Sequence, residues 1–160
     1  MANGIDIHER EKSFETSIKR IKSINMYGSN KETILIFIDY ILSGGISKAR
    51  ALRYLDVLPS FEKELAKDFR DSNINDMRRV VGKIEQNDKY KAWTKHTHKV
   101  CLKRFYKYLN GDKDYPETVS WIKCHMKKSE MNLPNEGELI TEEETNMLIK
   151  ACSIPRDKCL

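Results

Sequence analysis

Not one aspartate or glutamate occurs between residues 89 and 109 of this 160-residue sequence. Nor does any apolar run approach the roughly 20 residues that a membrane-crossing helix requires, so no membrane partner is expected. The four cysteines, Cys101, Cys124, Cys152 and Cys159, stand far apart and form no C-x-x-C pair. With no signal peptide opening the chain, that spacing predicts a reducing cytoplasm and no structural disulfide. Internal repeats and low-complexity tracts are missing as well.

What is present suits a soluble, highly charged globular chain: 39% of residues are hydrophobic and 33% are charged. That mix permits a real core and excludes a disordered tail. The length allows one ordinary domain, or a small domain with an extension. Net charge is only +5, with a pI near 8.9. The distribution matters more than the total, because acids gather at residues 136–144 and 68–76 and leave the 89–109 stretch bare. Such asymmetry implies one cationic face.

Within that stretch lie Lys89, Lys91, Lys95, Lys99, Lys103, Arg104 and Lys107. His98, Cys101, Leu102, Phe105, Tyr108 and Leu109 recur at helical spacing and share one side, while His96, Lys99, Lys103 and Lys107 fall on the other. A solvated face usually mixes Glu with Lys, since opposite charges at i,i+4 support each other. A cationic stripe without acids is instead the footprint of a nucleic-acid surface.

The rest of the chain also reads as helical, giving an all-α class. Phe14, Ile18 and Ile21 share a face across residues 7–24. Ser29 with Glu32 spells a capping box, and Gly44-Gly45 a stop. The run Ile34-Leu35-Ile36-Phe37-Ile38 resembles a buried strand, but these flanks and its continuation through Tyr40, Ile41 and Leu42 favour a helix that is apolar nearly all round. Ser47 can cap a third helix with Ala51, Leu55, Leu58 and Leu65 on its core face and Arg50 and Arg53 turned away. Pro59 predicts a kink or break there. Asn75 is positioned to cap a fourth helix running to about Glu85, and Thr94 to open the basic helix, which Asn110-Gly111 ends. A short helix over residues 117–126 is expected to carry Trp121 and Ile122 inward. Pro134 and Gly137 mark a linker, and Thr141-Glu142-Glu143-Glu144 caps a final helix bearing Met147, Leu148 and Ala151. The resulting division is a helical extension (1–28), a helical domain (29–126), a linker (127–139) and one further helix (140–160).

Two chemical readings fail on spacing. His98 and Cys101 share a helix face, but His96 points elsewhere and Cys124-His125 is distant, so core-side packing is favoured over zinc and no metal is expected. Tyr106 and Tyr108 sit among packing residues without the arginines that would stabilise a phosphoryl transition state, which leaves them as core or boundary residues.

The ordering resembles the N-terminal half of a tyrosine recombinase, the phage integrase family that includes the Xer-type enzymes. Residues 33–44 resemble its opening apolar helix. Tyr54 and Leu58 match a Tyr followed four residues later by Leu, although Arg50 stands where the family commonly has Thr. Leu102-Lys103-Arg104-Phe105-Tyr106-Lys107-Tyr108-Leu109 matches its aromatic-rich helix. Tyr115-Pro116 replaces a frequent Asn-Pro, and Leu133-Pro134 matches the linker. Ile140-Thr141-Glu142-Glu143-Glu144 and Arg156-Asp157-Lys158-Cys159-Leu160 match the opening of the catalytic domain.

The resemblance implies a SAM-like core-binding bundle that clamps double-stranded DNA, with the helices at residues 47–58 and 94–109 approaching the major groove. The DNA-binding side chains expected are Lys95, His96, Lys99, Lys103 and Lys107 on one helix and Lys48, Arg50 and Arg53 on the other. Thr94 and Ser47 donate to phosphate from the helix starts, or serve only as caps. It further implies homo-oligomers on DNA in the nucleoid, no cofactor and no small-molecule substrate. The family's catalytic residues would lie downstream, leaving this chain alone non-catalytic. Two alternatives stay open: a non-catalytic DNA-binding regulator or integrase remnant, and a helical module that binds an acidic protein.

Overall fold

Every regular element in the computed structural model, which describes residues 10–126, 137 and 139–152, is a helix, as the periodicity predicts. The elements are α1 (Arg10–Ser23), α2 (Asn30–Ser43), α3 (Lys48–Leu65), a 3₁₀ turn (Phe69–Asp71), α4 (Ile74–Glu85), α5 (Ala92–Leu109), α6 (Glu117–Ser120) and α7 (Glu142–Ala151). None of these helices is long and apolar enough to cross a membrane. The chain divides into two compact units, Met1–Met126 and Lys127–Leu160. The Leu133-Pro134 pair, the 155–160 run, Cys159 and residues 1–9 lie outside the described residues.

The first unit packs around aromatic rings. Phe37 of α2 meets Tyr54 of α3 and Phe105 of α5 edge-on, both at 5.1 Å between centroids. Phe69 of the 3₁₀ turn meets Phe105 at 4.9 Å. Burying each of these phenylalanines stabilises the fold by roughly 2 kcal/mol, and each edge-on pair adds about 0.5–1.5 kcal/mol. Helix α2, apolar nearly all round, is buried on one side only: Ile34, Phe37, Ile38 and Ile41 are buried, while Ile36 is 58% exposed. Helix α1 packs chiefly on α3 and places Ile21 in the same core.

Proline inside a helix removes the amide that would bond the carbonyl four residues back. Here that carbonyl belongs to Leu55, and Arg20 of α1 donates to it at 3.1 Å while pairing with Asp56 at 2.8 Å. Helix α3 runs unbroken from Lys48 to Leu65 with Pro59 inside it, so the expected break does not occur, and Arg20 occupies the carbonyl that the proline leaves without a donor.

Other local expectations shift for similar tertiary reasons. Ser29 occupies the N-cap position of α2 but makes no side-chain cap, because its amide and hydroxyl both donate to Asp68. Gly28, at φ +48°, lies so close that a Cβ would meet Asp68 Oδ2 at 2.7 Å. Buried Asn30 accepts from the Phe69 amide at 2.8 Å and donates to the Lys67 carbonyl at 3.0 Å. Buried Glu62 accepts from the Tyr27 amide at 2.7 Å. The cap of α4 is Asn73, not Asn75, and it forms a reciprocal box with Asp76. Helix α6 is a single turn that ends at Ser120, so Ile122 is buried while Trp121 stays 37% exposed instead of turning inward.

In the second unit Thr141 and Glu144 make the expected capping box at the start of α7. Leu139, Ile140, Met147 and Leu148 are exposed there.

Two outcomes follow. Arg20→Ala is expected to cost about 1 kcal/mol, the worth of one hydrogen bond to a half-buried carbonyl. In a Pro59→Ala background, where the residue 59 amide reclaims Leu55, the cost shrinks. Equal costs in both backgrounds, measured by urea unfolding, would remove Arg20 from this role. The second concerns Asp76, held below the ordinary 3.8 by the Lys67 ammonium and the Asn73 amide. A depressed native value means its contribution is complete above about pH 4 and is lost as pH falls through the native value. Asp76→Asn should therefore lower stability at pH 7 and flatten the acid limb of the stability curve; an unchanged limb would contradict this.

Candidate nucleic-acid interface

Helix α5 is wrapped by neighbours, and from Thr94 to Leu109 none of its residues is fully exposed. Its first residue is Ala92 after Lys91, so Thr94 lies within the first turn and not at the cap; its carbonyl bonds His98 Nδ1 at 2.8 Å. His98 lies beside Tyr90 and Phe61, and Cys101 is buried. No group of three or more His, Cys, Asp or Glu among the described residues is placed to hold a metal. Tyr106 is buried, with its hydroxyl 2.6 Å from Ser72 Oγ.

The cations expected at an interface separate into two groups. Lys95 donates to the Glu85 carbonyl at the end of α4, and Lys99 pairs with the Glu85 carboxylate at 2.7 Å with its side chain only 13% exposed. Lys48 pairs with Glu11 at 2.6 Å. Ser47 caps α3 through the Arg50 amide at 3.4 Å. Carboxylates cancel the charge of Lys48 and Lys99 inside the molecule, while Lys95 is held by a backbone carbonyl and stays cationic; the stripe is interrupted by Glu85, an acid from outside the bare segment.

The second group keeps its charge. Arg50 and Arg53 are exposed on α3, and among the described residues neither forms an ion pair. Both act on the Cys101 thiol beneath them. Lys103 donates to the carbonyls of Ile122 at 3.0 Å and Ser120 at 3.4 Å and sits 4.6 Å from the centroid of the Tyr115 ring. Carbonyls hold an ammonium in place without cancelling its charge. Lys107 approaches the same ring at 5.5 Å. His96 stands edge-on to Trp93 at 5.8 Å.

Arg50, Lys103 and Arg104 line one cleft of about 360 Å³ with Tyr54, Val100 and Tyr115, and among the described residues no carboxylate belongs to its lining. Arg104 was not among the expected contacts. It is compensated by Asp112, which also accepts from the Tyr40 hydroxyl at 2.5 Å. Tyr40 and Arg104 together keep the Asp112 carboxyl below its usual range. Tyr115 was likewise unforeseen; the only local signal is an aromatic before Pro116 after a basic helix.

No family model, curated protein or solved structure matches this chain.

Burial pushes the Cys101 thiol up to about 12 from 9.0, against the pull of Arg50 and Arg53. At pH 8 that leaves about a thousandfold less thiolate than an ordinary cysteine carries. Cys101 is expected to resist maleimide in the native protein and to label on denaturation. Native labelling at the denatured rate, followed by peptide mass spectrometry, would show that α3 and α5 do not cover it.

Proposed function

We propose that this chain binds duplex DNA through the cleft between α3 and α5, as a SAM-like core-binding domain of the tyrosine recombinase type. The observation that carries the reading is the convergence of Arg50 and Lys103, from two different helices, on one cleft whose lining has no carboxylate among the described residues. Arg53 and Lys107 extend the same positive charge along α3 and α5. Four cations that form no ion pair among the described residues, on two packed helices, supply a set of phosphate contacts, and phosphate contacts position a protein on a duplex.

In this reading α7 begins a second domain in which strand exchange would occur, and the Met1–Met126 unit supplies binding without catalysis. Assembly of several copies on DNA and a place in the nucleoid belong to the same proposal. Lys48 and Lys99 contribute structure, since their charges are paired with the carboxylates of Glu11 and Glu85.

Binding should fall with salt by about 0.9 log units in affinity per phosphate contacted for each log unit of salt. Arg50→Ala with Arg53→Ala is therefore expected to lower that slope by about 1.8 and to weaken all duplex sequences alike, with helicity unchanged. Lys99→Gln should lower thermal stability and leave the slope unaltered. Undetectable duplex binding at low salt overturns the proposal and favours an acidic protein partner.

A further inference from the structure

Trp93 is 58% exposed near the start of α5, where it adds nothing to the core. Its indole has His96 edge-on beside it, and exposed Lys89 and Lys91 precede it in sequence. Among the described residues neither lysine forms an ion pair.

The helical period relates this tryptophan to the cleft. At 100° per residue Trp93, His96, Val100, Lys103 and Lys107 fall within an arc of about 80°, over a length of about 21 Å. Val100 and Lys103 line the cleft. One face of α5 thus runs from an exposed indole, through the cationic cleft, to Lys107. Tyr115, also exposed, lies under Lys103 and Lys107 towards the far end.

A duplex backbone accounts for the cations but not for the indole, because paired bases keep their faces stacked against one another. An unpaired base offers a flat face, and stacking on an aromatic side chain is how sequence-tolerant sites hold one. The 89–109 segment contributes no carboxylate of its own, and the Glu85 carboxylate beside it is paired with Lys99. We propose that Trp93 is a stacking platform for an unpaired DNA base adjoining the duplex held in the cleft. The assignment rests on the duplex-binding reading and adds to it a preference for DNA in which duplex meets single strand.

The test uses the full chain and three labelled ligands: a blunt duplex, the same duplex with a short single-stranded overhang, and that overhang made abasic. Wild type is expected to bind the base-containing overhang about tenfold more tightly than the abasic one, as a stacked base is worth. Trp93→Ala should lose this preference while keeping blunt-duplex affinity, and Trp93→Phe should retain most of it. Trp121→Ala should retain all of it. If blunt duplex binds but wild type shows no such preference, or Trp93→Ala keeps it, the platform is overturned and duplex binding stands. If no ligand binds at low salt, both fall. If Trp93→Ala abolishes self-association in sedimentation and leaves all three affinities unchanged, the indole belongs to a second copy of the chain and the platform is overturned.

Discussion

The seating of Phe105 against Phe37 and Phe69 sets the rotation of α5, and with it the direction of every cation that helix carries. Phe105 is wholly buried. At 100° per residue, the positions about opposite it are His96, Lys103 and Lys107. Turning the helix by one residue in the direction that brings Arg104 to the place of Phe105 would drive a guanidinium into the aromatic core, where an unpaired charge costs far more than the rings gain. The core and the charged face are therefore two consequences of a single packing choice.

Polar groups complete what the rings begin. Among the described residues no buried side-chain nitrogen or oxygen lacks a hydrogen-bond partner. Asn30, Glu62 and Asp68 fasten the turn between α1 and α2 to α3 and the 3₁₀ turn through backbone amides and a carbonyl. At Asp68 burial works against ionisation, but the amides of Arg70 and Ser29 and the Ser29 hydroxyl outweigh it and hold the carboxyl below its usual range. Arg20 extends the same logic to α3 by satisfying the carbonyl that Pro59 leaves unpaired. Helix α1 thereby supports the helix that carries Arg50 and Arg53.

Positive charge on α5 does two different jobs. On the side facing α4, Lys95 and Lys99 cover the carbonyl and carboxylate of Glu85, which favours the C-terminal end of α4 through its dipole. On the outward side Lys103 is oriented by two carbonyls that leave its charge intact. A lysine held in this way between α5 and the 120–122 segment would lose less side-chain freedom on meeting an anion than a fully solvated one.

The helical class, the extent of α2, the end of α5 at Asn110-Gly111, the stop at Gly44-Gly45 and the capping box at Thr141 were legible in the sequence, because they depend on period and on bonds within four residues; the start of α5 was not, since the helix begins at Ala92, ahead of Thr94. The core face of α5 was legible for the same reason, as was the outward turn of Arg50 and Arg53. Continuity through Pro59, the loss of the Ser29 cap to Asp68 and the neutralisation of Lys99 by Glu85 were decided only in the tertiary structure. Each depends on a partner from 14 to 39 positions away in the chain. Local chemistry determines which helices form and which face each buries. Which cations remain uncompensated is settled only when separate helices pack, since a charge is cancelled by whatever stands within a few ångströms of it, however far off in sequence.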